Sequence, residues 1–256
     1  MKISHWYGRL GNNIQQCAVG VMTAYKFETN FESIDHDIIK KIYYLNGERY
    51  DESESKFFYW EGPYQEVDIP SDFIYRSMRK TCKDYIFPQL RVPRVVVADD
   101  TLVIHIRSGD VFDKGVSNPS QYAPNPLYFY TTLLEGFNKA IVVTEPDSHN
   151  PVVQELKRHP KVTVQSLSVA EDFATLLAAK HLANSGVGTF AVAAALCSHK
   201  IENFYCSDLA ITEHLNYNML VGTDVKVNLM ELPNWIRPGE WKNSDEQRRM
   251  IIDYKI

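Results

Sequence analysis

Short runs of β-branched and apolar residues alternate with longer amphipathic stretches through the second half of the chain. The short runs predict buried strands, and apolar residues at helical spacing predict helices. The predicted strands cover 101–107, 139–144, 161–166, 181–184 and 200–205. The predicted helices cover 127–138, 151–158, 169–180, 189–197 and 244–255, the last capped by Asn243 or Ser244. This alternation predicts an α/β fold with a parallel, doubly wound sheet.

The pattern before residue 46 is less regular. A short strand is predicted over Lys2–Trp6, and the glycine turn that follows leads into a helix from Asn12 to about Phe27. Further on, Asp35-His36-Asp37 precedes residues that favour a helix from Ile38 onward. The aspartates there fit an N-cap, and the same DxD spacing could hold a divalent metal and a nucleotide diphosphate.

A polar, turn-rich stretch covers residues 46–72 and surrounds one aromatic run, Phe57-Phe58-Tyr59-Trp60, which predicts a strand between loops. Residues 71–85 predict a helix capped by Ser71 or Asp72. Two prolines then break the pattern before the second half of the chain, so a domain boundary is predicted near residues 90–100.

Composition and charge narrow the class of protein. The 256 residues are 45% hydrophobic and 23% charged, which is typical of a globular chain, and the formal net charge of −5 offers no basic field for nucleic acid or an anionic membrane. No apolar run is long enough to span a bilayer, and no apolar signal region follows Met1. The four cysteines lack CxxC spacing and the eight histidines lack ligand spacing, so we expect reduced thiols, no bound metal and a cytoplasmic location.

The strand predicted over 101–107 carries the first candidate chemistry. If side chains alternate, Val103, His105 and Arg107 share one face of the strand. Ligands of open α/β sheets bind outside the carboxyl ends of the strands, and a guanidinium fork suits phosphate oxygens. The same residues could equally be the solvated polar end of a strand.

A second candidate is the glycine-rich stretch Gly186–Ala191, which opens a predicted helix. Its backbone amides and the Thr189 hydroxyl could hold a phosphate, and its GxGxxA spacing is the alanine form of a dinucleotide-binding fingerprint. An NAD(P)-dependent oxidoreductase is therefore an alternative, although the stretch lies late in the chain. The GRLGNN turn at 8–13 also precedes a predicted helix, and it is a weaker indication of an anion-binding site.

A third candidate is the acidic pair Glu171-Asp172 at the start of a predicted helix. Acidic residues are favoured in a first helical turn by the helix dipole, but a carboxylate can also accept hydrogen bonds from guanine. The chain contains neither the GxxxxGK[ST] of P-loop proteins nor the GxSxG of serine hydrolases.

Three stretches together resemble the fucosyltransferase-type glycosyltransferases, which include α-1,2-, α-1,6- and protein O-fucosyltransferases. GRLGNNIQQCAVG at 8–20 resembles the family's N-terminal GxLGNQMFQYA segment, and HIRSGD at 105–110 resembles its HxRRGD motif. Residues 172–196 are similar to its third block, in which an aspartate and a helix precede a small-residue loop that opens another helix.

This resemblance implies a GT-B architecture, with two Rossmann-like domains facing a cleft. The domains would be an acceptor-side domain at 1–98, a nucleotide-sugar-binding domain at 99–242 and a C-terminal helix at 243–256. It further implies an inverting transfer, without a bound metal, from a nucleotide-sugar donor to a glycan acceptor.

The resemblance also assigns roles to residues. Arg107 would bind the donor β-phosphate, His105 would lie beside the nucleotide, and Asp172 would hold the base. The residues around the phosphates and ribose would be Ser185, Gly188, Thr189 and Phe190. The residues lining the cleft from the N-terminal side would be Arg9, Gly11, Asn12 and Asn13.

The chain departs from the family pattern in ways that bear on the donor. Ser108 replaces the second arginine of the motif, and the acidic pair of the second block is reduced to Glu145 and Asp147. GDP-fucose is the favoured donor, a UDP-sugar such as UDP-xylose is an alternative, and a non-catalytic module that binds glycan or nucleotide is another. Inversion needs a general base, for which Asp113 is slightly favoured over Asp110.

Overall fold

The computed structural model describes residues 2–45, 71–113, 122–146, 149–211 and 215–256. Before residue 98, these residues form helix α1 (Leu10–Lys26), a two-stranded antiparallel sheet and helix α2 (Ser71–Thr81). The two strands are β1 (Phe31–Glu32) and β2 (Tyr43–Tyr44). Helix α2 continues into a π-helical turn, Cys82–Ile86.

After residue 98, the chain forms a mixed α/β structure around one six-stranded parallel sheet. Its strands are β3 (Thr101–Ile106), β4 (Lys139–Thr144), β5 (Val162–Gln165), β6 (His181–Ala183), β7 (Asn203–Ser207) and β8 (Lys226–Met230). The helices are α3 (Leu127–Glu135), α4 (Pro151–Leu156), α5 (Val169–Leu177), α6 (Phe190–Cys197) and α7 (Asp245–Asp253). The predicted parallel sheet in the C-terminal half is confirmed.

The strand order across this sheet is β5-β4-β3-β6-β7-β8. Counted from β3, this is the order 3-2-1-4-5-6 of a doubly wound fold, and the winding reverses between β3 and β6. Ligands of such sheets bind at this switch point, in the crevice outside the carboxyl ends of the two strands. The fold therefore directs attention to the residues that follow Ile106 and Ala183.

The two faces of β3 belong to different hydrophobic cores. Val103 packs into a core with α5 and α6, whereas Leu102, Ile104 and Ile106 pack into a core with α3, α4 and α7. The alternation predicted for this strand is confirmed. Because both faces are covered, the strand is apolar almost throughout, as expected for a central parallel strand.

Helix α1 is part of the first of these cores. All but three of its 17 residues are buried, and it packs against α6, α2 and β1. The core runs from Ile3 to Val225 and so crosses the boundary predicted near residue 98. The described residues before that boundary share apolar surface with the parallel sheet.

Two predictions for the N-terminal region are wrong. Residues 2–6 form no strand beyond a single bridge between Lys2 and Glu32. The helix expected from Ile38 is replaced by extended chain, because Lys40 N–H donates to Gln89 O and Arg91 N–H donates to Ile38 O. Pairing with a distant segment outweighs the local helical pattern.

Strand β8 was not predicted, and the other predicted elements of the second half are found with shifts of a few residues at their ends. The C-terminal helix is capped by Ser244, whose Oγ accepts from Gln247 N–H (3.1 Å). The strand predicted around the aromatic run 57–60 lies outside the described residues. Within the described part of the chain, no helix is both long and apolar enough to cross a membrane.

Candidate functional site

Two arginines and two carboxylates meet at the switch point of the sheet. Arg107, the first residue after β3, donates from Nη2 to both Asp110 oxygens (3.0 Å each). Arg9, in the turn before α1, lies 3.4 Å from Asp110 and 3.0 Å from Glu145. Glu145 follows β4 directly, so three separate stretches of chain contribute to one charged cluster.

His105 lies on the inner side of this cluster and is buried, with 8% of its surface exposed. Its ring packs against Phe190 at 5.0 Å between centroids. Burial, with a smaller contribution from the positive charges of Arg107 and Arg9, lowers the pKa of His105 to about 3. The imidazole is therefore neutral at ordinary pH, able to donate one hydrogen bond and to accept another.

Two buried nitrogens of this site have no hydrogen-bond partner among the described residues: His105 Nδ1 and Arg107 Nε. Arg107 is otherwise well held, because its guanidinium carbon lies 5.4 Å from the centre of the Tyr122 ring and its backbone carbonyl accepts from Asn150 Nδ2 (2.9 Å). An unpaired buried polar group is costly, so these two nitrogens indicate where a polar ligand would bind.

The amino ends of α1 and α6 come together beside the charged cluster. Thr189 Oγ1 donates to Asn12 Oδ1 (2.8 Å). A Cβ atom on Gly11 would lie 2.5 Å from Thr189 Oγ1 and 2.8 Å from the Thr189 carbonyl carbon, so only glycine allows this approach. The first and third predicted blocks are thus in direct contact.

The loop after β6 is fixed by its neighbours. Gly186 has φ +88°, and a Cβ there would lie 2.4 Å from Ala123 O, so this glycine is required for packing. Asn125 Nδ2 donates to Asn184 O (3.1 Å), and the buried Ser185 accepts at its carbonyl from Tyr122 Oη (3.4 Å). The GxGxxA stretch follows the fourth strand of the winding and not the first, where a dinucleotide fingerprint normally stands.

Gly188 of this loop and Phe190, the first residue of α6, are two of the residues predicted to lie around the donor. A Cβ on Gly188 would meet Ser185 Oγ at 3.3 Å. Phe190 lies between His105 and Phe173, with ring centroids 5.0 and 5.2 Å apart. These rings connect the charged cluster to the beginning of α5.

Asp172 lies near that beginning and is buried. Its carboxylate accepts from Gln165 Nε2 (2.9 Å) and from Leu167 N–H (3.2 Å to Oδ2). Glu171, next to it, forms a capping box with Ser168. Both acidic residues thus have local structural partners. Asp172 also directly precedes Phe173, whose ring packs against Phe190.

Three candidates have contacts with residues outside the charged cluster. Asn13 donates to Tyr7 O (2.9 Å) and to Gln16 Oε1 (3.1 Å), which stabilises the turn before α1. Asp113 is exposed, and its backbone carbonyl accepts from Asn243 Nδ2 (3.4 Å). Asp35 accepts from Arg91 Nη2 (2.9 Å).

No group of three or more metal-ligating side chains is found within the described residues. Asp147, paired with Glu145 in the sequence argument, lies outside them.

Sequence reasoning gave too little weight to Glu145 and did not find Tyr122 or Asn150. A carboxylate directly after a predicted strand was the available signal for Glu145, since carboxyl ends of parallel strands share one edge. Tyr122 and Asn150 contact Arg107 from loops whose placement no local pattern indicates.

A small cleft, partly open to solvent, adjoins the loop after β6. Its lining combines apolar side chains, among them Val187, Val192, Leu209 and Leu215, with the polar side chains of Asn216 and Tyr217. The cleft and Asp172 lie on opposite sides of the switch point, since Asp172 follows β5.

The site can therefore bind an anion next to a neutral imidazole and two aromatic rings. When the chain is compared with protein-family models, curated proteins and solved structures, no match is found. The likeness of three stretches to fucosyltransferase-type enzymes stays a prediction.

Proposed function

We propose that this protein is an inverting, metal-independent glycosyltransferase. It moves a sugar from a nucleotide-diphosphate donor, with GDP-fucose favoured, to a hydroxyl group of a glycan. The observation that carries the proposal is the position of Arg107 at the switch point, where its Nε and the neighbouring His105 Nδ1 are buried and have no hydrogen-bond partner in the described part of the chain. Both nitrogens suit phosphate or nucleotide oxygens.

In the proposed reaction, the bond between the anomeric carbon and the phosphate oxygen breaks, and the nucleotide diphosphate leaves with the electron pair. The guanidinium groups of Arg107 and Arg9 stabilise the charge that develops on it. The acceptor hydroxyl forms the new bond from the opposite side and loses its proton to a carboxylate. Asp113 is the favoured base, because Asp110 is already held by both arginines.

The GT-B arrangement of two Rossmann-like domains stays part of the proposal. What supports it is the doubly wound sheet after residue 98 and the contact between the turn before α1 and the carboxyl ends of its strands. Arg9 and Asn12 would then line the cleft from its N-terminal side.

Replacing Arg107 tests the proposal. We expect Arg107→Ala to lower sugar transfer by about 100-fold or more, the effect of removing one preorganised donor to a developing anion. Nucleoside diphosphate binding should weaken as well, and transfer by the wild-type protein should persist in EDTA.

Arg158→Ala is the matched control, because Arg158 is exposed just after α4 and pairs with the nearby Glu155 (2.6 Å). Full transfer activity in a folded Arg107→Ala protein would contradict the proposal.

A UDP-sugar is the second candidate donor, and the hydrogen bonds of Asp172 favour it. Reading guanine takes both carboxylate oxygens, yet those of Asp172 already accept from Gln165 and Leu167. A thermal-shift panel of GDP, UDP, ADP and their sugars distinguishes the donors, since a ligand stabilises the folded state that binds it. Preference for UDP would remove the guanine-binding role of Asp172.

A further inference from the structure

The carboxylate of Glu145 is bound in the way that proteins bind external anions. Ser108 N–H donates to Glu145 Oε2 (2.6 Å), and Arg9 Nη1 donates to Glu145 Oε1 (3.0 Å). A backbone N–H at the carboxyl end of a central strand and a guanidinium fork are a common ligand set for phosphate. In this protein, the Glu145 side chain accepts from both of these donors.

The position of this carboxylate is tightly defined. Ser108 is buried, and the side chain of Glu145 keeps 27% of its surface exposed. Gly109, with φ +48°, turns the chain beside Glu145, and a Cβ added there would be in van der Waals contact with Oε1 at 3.5 Å. The carboxylate therefore lies at the mouth of the site, where an entering ligand would meet it.

The charges of the cluster balance. Arg9 and Arg107 carry two positive charges, and Asp110 and Glu145 carry two negative ones. An external anion gains little net attraction from such a set, unless it replaces a carboxylate on one of the guanidinium groups.

We propose that Ser108 N–H and Arg9 form an anion subsite that Glu145 occupies in the unliganded protein, and that an entering diphosphate must displace this carboxylate. Glu145 thereby sets how tightly the site holds a diphosphate and favours its release. The identity of the anion as a donor diphosphate rests on the proposed function, whereas the subsite rests on the contacts alone.

Calorimetric titration of the full chain with inorganic pyrophosphate tests this inference. Glu145→Ala and Glu145→Gln should each bind pyrophosphate about tenfold more tightly than the wild type, since each removes one negative charge within a few ångströms of the ligand. Arg9→Met combined with Glu145→Ala should lose that gain.

Glu202→Gln is the matched control for net charge. Glu202 directly precedes β7, so it lies at the amino ends of the parallel strands, whereas the site lies at their carboxyl ends. Its carboxylate lies 3.3 Å from Lys180. This variant should bind pyrophosphate as the wild type does.

Amide hydrogen exchange at Ser108 supplies a reading that does not depend on affinity. The Ser108 amide should exchange faster in Glu145→Ala, remain protected in Glu145→Gln, and be protected again in Glu145→Ala when pyrophosphate is added. Glu145→Gln also keeps the test valid if the alanine variant folds poorly.

The inference is wrong if both Glu145 variants bind pyrophosphate no more tightly than the wild type, or if no variant binds it. Absence of sugar transfer with tightened pyrophosphate binding would reject the proposed function alone. Sugar transfer with unchanged pyrophosphate binding would reject the subsite alone.

Discussion

His105 and Arg107 stand two residues apart at the end of β3, yet only one of them carries a charge. Burial and the two nearby guanidinium groups lower the pKa of His105 to about 3. Arg107, by contrast, forms an ion pair in which its Nη2 donates to both oxygens of Asp110. The strand end thus offers one cation and one neutral ring. This division could be predicted only in part from the sequence, because alternation places both residues on one face but gives no depth of burial.

The low pKa of His105 makes folding dependent on pH. Between pH 6.5 and 3, the unfolded chain binds a proton at this residue and the folded chain does not, so the free energy of unfolding falls as pH falls. From pH 7 to pH 5, the wild type should lose about 2 kcal/mol more stability than His105→Gln. Urea unfolding at both pH values measures the difference.

His5→Gln provides the comparison, because His5 is exposed. The two stability curves of wild type and His105→Gln would run parallel with pH if His105 were solvated in the folded protein.

Helix α6 is held at both ends by distant parts of the chain. Its amino end meets Gly11 and Asn12 of α1, and its carboxyl end is capped by Arg79 of α2. The buried guanidinium of Arg79 donates to the carbonyls of Ala195 and Ser198, and it pairs with Asp224 (3.0 Å between Nη2 and Oδ2). One side chain therefore satisfies helix carbonyls that would otherwise be buried without partners.

Removing this cap should destabilise the fold. We expect Arg79→Met to lower the free energy of unfolding by roughly 2–4 kcal/mol, because helix carbonyls lose their donors and Asp224 keeps only Lys83 (3.0 Å) as a counter-charge. Chemical denaturation measures the loss.

Arg76→Met on the same helix is the control, since Arg76 and its partner Asp72 are 82% and 80% exposed. Its cost should stay below about 0.5 kcal/mol. Equal costs for the two substitutions would show that the Arg79 contacts do not stabilise the fold.

The elements of the second half could be predicted because their local patterns agree with their environment. Strand β3 is covered on both faces and reads as a continuous apolar run. Strand β8 escaped prediction, because Lys226 and Asn228 interrupt its pattern at the exposed edge of the sheet. The segment after Ile38 was wrongly predicted as a helix. Its hydrogen-bond partners at 89–91 are distant in sequence, so the local pattern of residues does not indicate them.

The convergence of the three predicted blocks could be anticipated from the shared edge of parallel strands, but its contacts could not. The pair between Arg9 and Glu145 joins residues 136 positions apart, and the bond between Asn12 and Thr189 joins residues 177 apart. Such contacts depend on strand order and register, which follow from the packing of the whole sheet.

At the scale of the whole molecule, one hydrophobic core connects α1 to the parallel sheet. Cys17 of α1, Phe173 of α5 and Leu196 of α6 all belong to it, and each is fully buried. Separate unfolding of residues 1–98 would therefore expose apolar surface on both parts.

We expect α1 and α6 to open in one cooperative step. In native-state hydrogen exchange under increasing denaturant, amides of both helices should report opening free energies that agree within about 1 kcal/mol. The residues near exposed Ile256 serve as a fast-exchanging reference. Loss of protection in α1 at lower denaturant than in α6 would instead support a separately folding N-terminal domain.

The burial of α1 also has a consequence for biosynthesis. The ribosome completes α1 well before it reaches Phe190, so for most of translation this helix, which is buried on nearly all sides in the folded protein, lacks the α6 surface against which it packs. A nascent chain in that state exposes the kind of surface that aggregates or recruits chaperones. Because the same late segment supplies Thr189, the contacts of Thr189 with Gly11 and Asn12, which cover the amino end of α1, also form only late in synthesis.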